Sequence, residues 1–403
     1  MKIFPSTANG IITAPPSKSM AHRYLICAAL SDGISEIHNI AFSEDIKATL
    51  QCIEQLGASA KIENDTVFVN GCGSKILSEN FESERFFNCN ESGSTLRFFI
   101  PLAMLSEKKA VFSGSKVLMT RPLSVYEEIC KNQKIKLEHK ENELQLQGKL
   151  KSGNFEIPGD ISSQFITGLL FALPFLNGDS RIILTNSIES KPYINMTLQV
   201  QNEFGIKTKW ENENTLLILG NQTYKKQNAT VEGDYSNAAF LDVFNFLGGN
   251  VQVQGLKKDS LQGDKIYQEY FEKLKNGFAT LDISDCPDLG PILFVLASAN
   301  YGGEFTGTKR LKIKESNRGE VMCKELEKFG VKSFQEENRI VIYKEKLFSP
   351  KEIILGHNDH RIVMSMVTLL SLVGGEIEGT NAVRKSFPDY FEKIKSLGIK
   401  FES

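Results

Sequence analysis

One local pattern recurs along this chain, and it limits the fold more than any single motif. Residues 43–71 read as an amphipathic helix, a glycine, a short strand, a polar turn and a second strand. Ile46, Leu50, Ile53 and Leu56 follow helical spacing. Gly57 suits a left-handed helix end. Glu63-Asn64-Asp65 separates two runs containing β-branched residues. The pattern returns at Tyr193–Leu219, with Gly205 and the turn Glu211-Asn212-Glu213-Asn214. It returns again at Glu315–Tyr343, with Gly330 and a turn at Glu336-Glu337-Asn338, and it closes the chain around Gly398. Weaker copies occupy Pro122–Gly148, where Asn132-Gln133 replaces the glycine, and Lys265–Ile283, with Gly277.

Six copies in 403 residues give a unit of about 67 residues. Such a unit cannot bury its own apolar face, so copies must share cores. Three per domain make two similar domains, with a boundary near Thr230–Asp234. Hairpins alternating with helices predict α+β layers. The segment Lys2–Ile12 reads as one strand preceding the first unit.

Composition removes several function classes. Lys and Arg total 47 against 49 Asp and Glu, a formal charge of −2, so nothing in the balance calls for nucleic acid or an anionic membrane. Phe165–Leu176 and Ile362–Val373 are the longest apolar runs, short of the ~20 residues that span a bilayer. Seven cysteines, an odd number without a CxxC pair, argue against a disulfide framework or a zinc site. The N-terminus lacks a secretory apolar core, and the cytoplasm is the expected location.

Chemistry concentrates just ahead of predicted helices. Pro15–Arg23 carries Ser17, Lys18, Ser19 and Arg23 at a helix start, a pattern that suits an anion. Asn90–Arg97 places Gly93 where close backbone approach is needed, with Arg97 a turn further on. Thr120-Arg121-Pro122, Ser162-Ser163-Gln164 and Ser190-Lys191-Pro192-Tyr193 follow. Later come Asp285–Pro291 with Asp288, then Lys314-Glu315-Ser316-Asn317-Arg318, His357–Arg361 and Arg384–Asp389. Each alone is explained as well by an ordinary capped helix. His357 and His360 lack a third metal ligand, and Arg361 beside them disfavours a cation.

Taken together, the motifs fall at similar places in the repeat. A cleft gathering them holds Lys18, Arg23, Arg97, Arg121, Lys314, Arg318, Arg361 and Lys385. That charge suits a substrate pair with two phosphates and two carboxylates. No Walker A sequence, dinucleotide fingerprint or metal cluster is present, so neither metal nor cofactor is expected.

In their order, from Pro16-Ser17-Lys18-Ser19 to Lys385-Ser386-Phe387-Pro388-Asp389-Tyr390, these motifs resemble the 5-enolpyruvylshikimate-3-phosphate synthase family. The resemblance implies two inside-out α/β barrel domains, each of three βαβαββ repeats, with the active site in the interdomain cleft. It places residues 1–13 with 231–403 and makes 14–230 the other domain. It implies transfer of the enolpyruvyl group of phosphoenolpyruvate to the 5-hydroxyl of shikimate 3-phosphate by a monomeric enzyme.

By the same resemblance, Ser162, Ser163 and Ser190 bind the shikimate phosphate, Ser19 and Arg23 its carboxylate, and Gln164 lies against the ring. Lys18, Arg121, Arg318, Arg361 and Lys385 clamp phosphoenolpyruvate, with Gly93 close, Gln164 beside it and Arg97 nearby. Asp288 takes the 5-hydroxyl proton, Glu315 protonates the methylene carbon, and Lys314 lies beside both. Tyr193, Asp359 and His360 shape the pocket. Gly93 implies sensitivity to the inhibitor glyphosate. Glu91 and Asn317 depart from residues usual in relatives.

The related transferase acting on UDP-N-acetylglucosamine generally carries a reactive Cys or Asp in the loop ahead of the Arg-Pro position. Residues 114–119 here read Gly-Ser-Lys-Val-Leu-Met. A non-catalytic relative has no need of both Asp288 and Glu315.

Overall fold

The computed structural model describes residues 1–77, 84–140 and 142–402. It divides into two compact units, Lys18–Val231, and Met1–Ser17 with Glu232–Ser403. Residues 14–17 belong with the latter unit rather than with 18–231, because the backbone of 15–17 pairs with 232–234. Pro16 bridges Gly233, and Ser17 N donates to Glu232 O at 2.8 Å. Val231 stays with the former, where its N–H donates to His38 O at 3.0 Å.

The Lys18–Val231 unit contains α1 (Lys18–Leu30), α2 (Glu44–Glu54), α3 (Gly93–Ala103), α4 (Lys116–Met119), α5 (Ser124–Gln133), α6 (Ser163–Ala172) and α7 (Lys191–Glu203). Helices α1, α3 and α6 are buried along nearly their whole length, whereas α2, α5 and α7 bury one face. Each of its three sheets is built by one rule. Asn154–Pro158 runs parallel to Ser180–Thr185, and the hairpin Thr208–Asn212/Thr215–Ile218 adds antiparallel beside it. Arg85–Asn88 and Ala110–Ser113, with the hairpin Lys136–Lys140/Glu143–Gln147, repeat the rule. In the third sheet Tyr224–Lys225 and Ala229–Thr230 supply the parallel partner of Ser31–His38. The parallel pairs joined through a helix and the hairpins closed by tight turns are the connections these geometries require.

The other unit contains α8 (Tyr235–Asp242), α9 (Tyr267–Asn276), α10 (Gly290–Ala299), α11 (Arg318–Glu327), α12 (His360–Val373) and α13 (Tyr390–Ser396). Ala279–Asp282, Gly303–Thr306 and the hairpin Ser333–Gln335/Arg339–Ile342 obey the same rule. Ile354–Leu355 and Gly375–Glu378 form a further parallel pair, and Lys2–Phe4 and Lys400–Glu402, from opposite ends of the chain, take the antiparallel places of a hairpin.

Three expectations are corrected. Lys2–Ile12 is not one strand: the chain breaks at Pro5, which has no N–H for a ladder. Lys2–Phe4 joins Gly375–Glu378, while Asn9–Thr13 pairs with Asn250–Gln254. The copy at Lys265–Ile283 lacks its hairpin. After α9 the chain passes through Gly277-Phe278 into Ala279–Asp282, which opens the next sheet, and Asn9–Thr13 and Asn250–Gln254 stand as a two-stranded sheet. The third sister strand is replaced in part by one side chain. The Asn245 amide accepts from Val251 N and donates to Val251 O at 2.6 Å, filling one ladder position on that edge. The third correction concerns Pro122–Gly148, where Lys134, not Asn132-Gln133, takes the left-handed place of the glycine, at φ 58°. Gly57, Gly205, Gly330 and Gly398 all have φ between 82° and 99°.

Candidate active site

In the Lys18–Val231 unit the predicted residues sit at helix N-termini, as their caps dictate. Ser92 caps α3 by accepting from Thr95 N, and Ser162 caps α6 by accepting from Gln164 N. Such ends leave backbone N–H groups directed outward, which favours anions. Lys18 opens α1, and its Nζ donates to Asp45 Oδ2, in the first turn of α2, at 2.9 Å. Gly93 opens α3. A Cβ there would meet Arg121 Nη1 at 2.5 Å, so only glycine permits this approach.

Arg97, one turn further, donates through Nη1 to Gln164 Oε1 at 2.6 Å and through Nη2 to Pro122 O at 3.1 Å. Its guanidinium lies 4.9 Å from the centre of the Phe165 ring. Gln164 Nε2 in turn donates to Ser94 Oγ at 3.0 Å. Gly93, Ser94, Arg97, Arg121 and Gln164 therefore form one cluster.

Arg23 forms a second cluster. It donates to Ser19 O at 2.7 Å, Tyr193 O at 2.9 Å and Thr197 Oγ1 at 2.9 Å. Burial lowers its pKa to about 10, which leaves it cationic at neutral pH. Ser190 precedes α7 in a left-handed conformation, φ 57°, and is buried, as are Ser162 and Ser163.

In the other unit Arg318, 1% exposed, is the centre. Its Nε donates to Asp359 Oδ2 at 2.8 Å and its Nη1 to Asp288 Oδ1 at 2.7 Å. Its Nη2 donates to Glu315 Oε2 at 2.6 Å and Asp359 Oδ1 at 3.2 Å. Lys314 Nζ reaches the same Asp288 oxygen at 3.0 Å. Burial alone would raise the Asp288 pKa, but Lys314, Arg318 and Arg361 outweigh it and hold the carboxyl well below its ordinary value. Lys314 is lowered, by burial first, with Arg310 and Arg318 adding to it and Asp288 opposing.

Asp359 caps α12 by accepting from Arg361 N, and Ser316 Oγ donates to it at 3.0 Å. His360 is buried beside it. Arg361 donates to Asn237 Oδ1 at 3.0 Å and lies over Phe240 at 5.2 Å. Lys385 Nζ donates to Asn358 O at 2.6 Å. His357 and Asn358 are consecutive left-handed residues, φ 48° and 52°. Glu325 anchors that turn, with Oε1 2.8 Å from His357 Nε2 and Oε2 accepting from Leu355 N and Lys328 Nζ.

Asp45, Asn237 and Glu325 are absent from the sequence expectation. Each acts on a partner 27 or more residues away, beyond any local motif. Asp264 is another. It is buried, and burial with the nearby Asp288 charge raises its pKa to about 7. No group of three or more His, Cys, Asp or Glu suited to a metal occurs among the described residues. No helix there is long and apolar enough to cross a membrane.

Repeated α/β units with guanidinium and hydroxyl groups at the helix starts of one, and a carboxylate pair on one arginine in the other, point to a class of anion-handling transferase. The sequence profile of EPSP synthase (3-phosphoshikimate 1-carboxyvinyltransferase) matches residues 4–394, and the chain belongs to that family. It is similar to the 3-phosphoshikimate 1-carboxyvinyltransferase of Clostridium botulinum strain Alaska E43, 42% identical over 423 positions covering 99% of this chain and 98% of that one. The protein of that name from Clostridium perfringens strain 13 is 41% identical over 419 positions, covering 98% and 97%. A solved EPSP synthase from Acinetobacter baumannii shares the fold, with a TM-score of 0.78 at 22% identity over 100% of this chain and 98% of that one. The 423 aligned positions exceed the 403 residues here, so this chain is locally shorter than its Clostridium botulinum relative.

Proposed function

We propose that this chain transfers the enolpyruvyl group of phosphoenolpyruvate to the 5-hydroxyl of shikimate 3-phosphate and releases phosphate. The observation that carries this reading is the Asp288–Arg318–Glu315 arrangement: two carboxylates on one buried guanidinium, with Lys314 beside them. The reaction adds a proton to the methylene carbon and the 5-hydroxyl oxygen to the adjacent carbon, giving a tetrahedral intermediate. Loss of phosphate and of a methyl proton then restores the double bond. This needs a base for the hydroxyl, an acid for the carbon and fixed positive charge for the phosphate.

Asp288, held ionised, is the base, and Glu315 is the acid. Lys18, Gly93, Arg121, Gln164, Arg361 and Lys385 receive phosphoenolpyruvate. Ser19, Arg23, Ser162, Ser163, Ser190 and Lys314 receive shikimate 3-phosphate, and Arg97, Tyr193, Asp359 and His360 support them. Arg318 belongs to the phosphoenolpyruvate group too, although its donors engage three carboxylates. Both constellations are needed at once, so we infer that they converge on one substrate pair in the interdomain cleft of two inside-out barrels. A cytoplasmic monomer without cofactor, inhibited by glyphosate in competition with phosphoenolpyruvate, completes the reading.

The test is phosphate release from phosphoenolpyruvate with and without shikimate 3-phosphate, in the absence of added metal. Release that depends on shikimate 3-phosphate is expected. Release driven instead by UDP-N-acetylglucosamine, or none with either acceptor, overturns the assignment.

A further inference from the structure

A layer of buried polar side chains lies one helical turn beneath the helix starts of the Lys18–Val231 unit. Lys18 is followed by His22, Asp45 by Thr49, and Ser92 by Thr95, spacings of three or four residues that fall close to one turn. The three deeper residues touch in sequence. His22 Nδ1 lies 2.8 Å from Thr49 Oγ1, and Thr49 Oγ1 lies 2.8 Å from Thr95 Oγ1. Thr95 Oγ1 donates to Ser92 Oγ at 2.7 Å. All four residues are buried. The chain therefore joins α1, α2 and α3 and ends on the cap that precedes Gly93.

Counting protons fixes its direction. A threonine hydroxyl has one proton. That of Thr95 goes to Ser92, so the proton between Thr49 and Thr95 belongs to Thr49. The proton between His22 and Thr49 must then sit on His22 Nδ1. His22 is a neutral Nδ1–H imidazole, and its buried Nε2 is a lone pair without a hydrogen-bond partner among the described residues. Burial, then Lys18 and Arg23, keeps the ring well below its ordinary pKa. With the His22, Thr49 and Thr95 protons assigned, the three links have one arrangement, unlike a set of freely turning hydroxyls.

We propose that His22, Thr49 and Thr95 are positioning residues that fix the Ser92-Gly93-Ser94 turn against Arg121, and so set the grip on phosphoenolpyruvate without touching it. The proposal rests on the function assigned above. The turn is a sensitive place to act on. Gly93 and Arg121 approach so closely that a methyl group on residue 93 would push the Arg121 guanidinium aside, and Ser94 holds Gln164. A displacement of about 1 Å in such a site is enough to weaken a preorganised contact. Thr49→Val keeps the volume but leaves the His22 N–H without an acceptor and Thr95 without its donor.

Two measurements test the relay. In kinetics, Thr49→Val is expected to raise KM for phosphoenolpyruvate about tenfold, with kcat and KM for shikimate 3-phosphate within about twofold. Thr49→Ser is expected to restore the KM. An unchanged KM, an equal rise for both substrates, or no rescue by serine overturns the proposal. In the unmodified protein, nitrogen-15 shifts of His22, assigned by their loss in His22→Gln, should show protonated Nδ1 and bare Nε2 at neutral pH. An Nε2–H tautomer overturns it even where the valine variant does not fold. Failure of the unmodified protein to release phosphate with shikimate 3-phosphate would strike the assigned function instead, and the tautomer result is independent of it.

Discussion

The two units hold their candidate site residues by opposite means. In Lys18–Val231 the groups beneath the helix starts are largely neutral: Thr49, Thr95, Thr167 and Thr197, with a neutral His22. Thr197 accepts from Arg23 and donates to Tyr193 O at 3.1 Å, so Thr167 donates to Thr197, and again each proton has one place. In the other unit the corresponding depth is filled by charge: Arg318 with Asp288, Glu315 and Asp359, and Asp264 near Asp288 and Arg361. Neutral networks orient without titrating near neutral pH, which suits groups that bind. Charged networks shift pKa values, which suits groups that move protons. On the roles proposed above, the type of support differs between the unit that only binds and the unit that both binds and carries the two carboxylates.

The strongest way to break this contrast is to remove the charged hub. Arg318→Met leaves Asp288, Glu315 and Asp359 without their shared cation. Breaking a buried pair in this way costs about 3–5 kcal/mol. Turnover is expected to fall at least about 10³-fold, because the two carboxylates proposed as base and acid lose their orientation. Urea unfolding and steady-state kinetics check the two effects. Arg318→Lys is expected to recover little of either, since one ammonium cannot reach three carboxylates in fixed directions. A lysine variant with near-normal turnover would show that charge alone, not the fork, is what the site uses.

Lys18→Ala tests the binding side. Here one preorganised donor is lost from a rim whose supports stay intact, so turnover should fall about 10²-fold with little loss of stability. Thermal unfolding separates the two outcomes. A large drop in Tm would mean that the Lys18–Asp45 pair ties α1 to α2 structurally, and the contrast between the units would weaken. An unchanged rate would remove Lys18 from the site.

What the sequence made legible follows from range. The helix–glycine–strand copies are local, and Gly57, Gly205, Gly330 and Gly398 are left-handed because a helix must end and reverse within a few residues. The helix-start motifs were legible for the same reason: Ser92 and Ser162 reach their own next turn. Lys134 escaped because nothing in its chemistry advertises φ 58°. The break at Pro5 was written in the sequence, yet a strand pattern ran over it. Contacts that join remote segments left no local trace. Asn237 meets Arg361 across 124 residues, and Glu325 holds His357 across 32. The lost hairpin after α9 was hidden because helix, Gly277 and a following strand still look like the pattern, although the strand belongs to the next sheet.

The gentlest probe of the contrast is Asp264→Asn, which removes one titrating group from the charged unit while keeping its shape. Asp264 is raised to about 7 in the folded protein by burial and by Asp288, against about 3.9 unfolded. The folded state therefore binds this proton more tightly. Stability from this group is fully present below about pH 4 and falls as pH rises toward 7, because folding then has to hold a buried carboxylate beside another. Asparagine mimics the protonated form. The variant should stay close to the unmodified protein near pH 4 and exceed it by up to about 4 kcal/mol at pH 8, since the value of about 7 already includes the offset from Arg361 and the Ser236 hydroxyl and each pKa unit is worth about 1.4 kcal/mol. Urea unfolding at the two pH values reads this difference. Equal gains at both pH values would place the effect in packing rather than in titration, and Asp264 would then be a structural neighbour of Asp288 rather than part of its electrostatic setting.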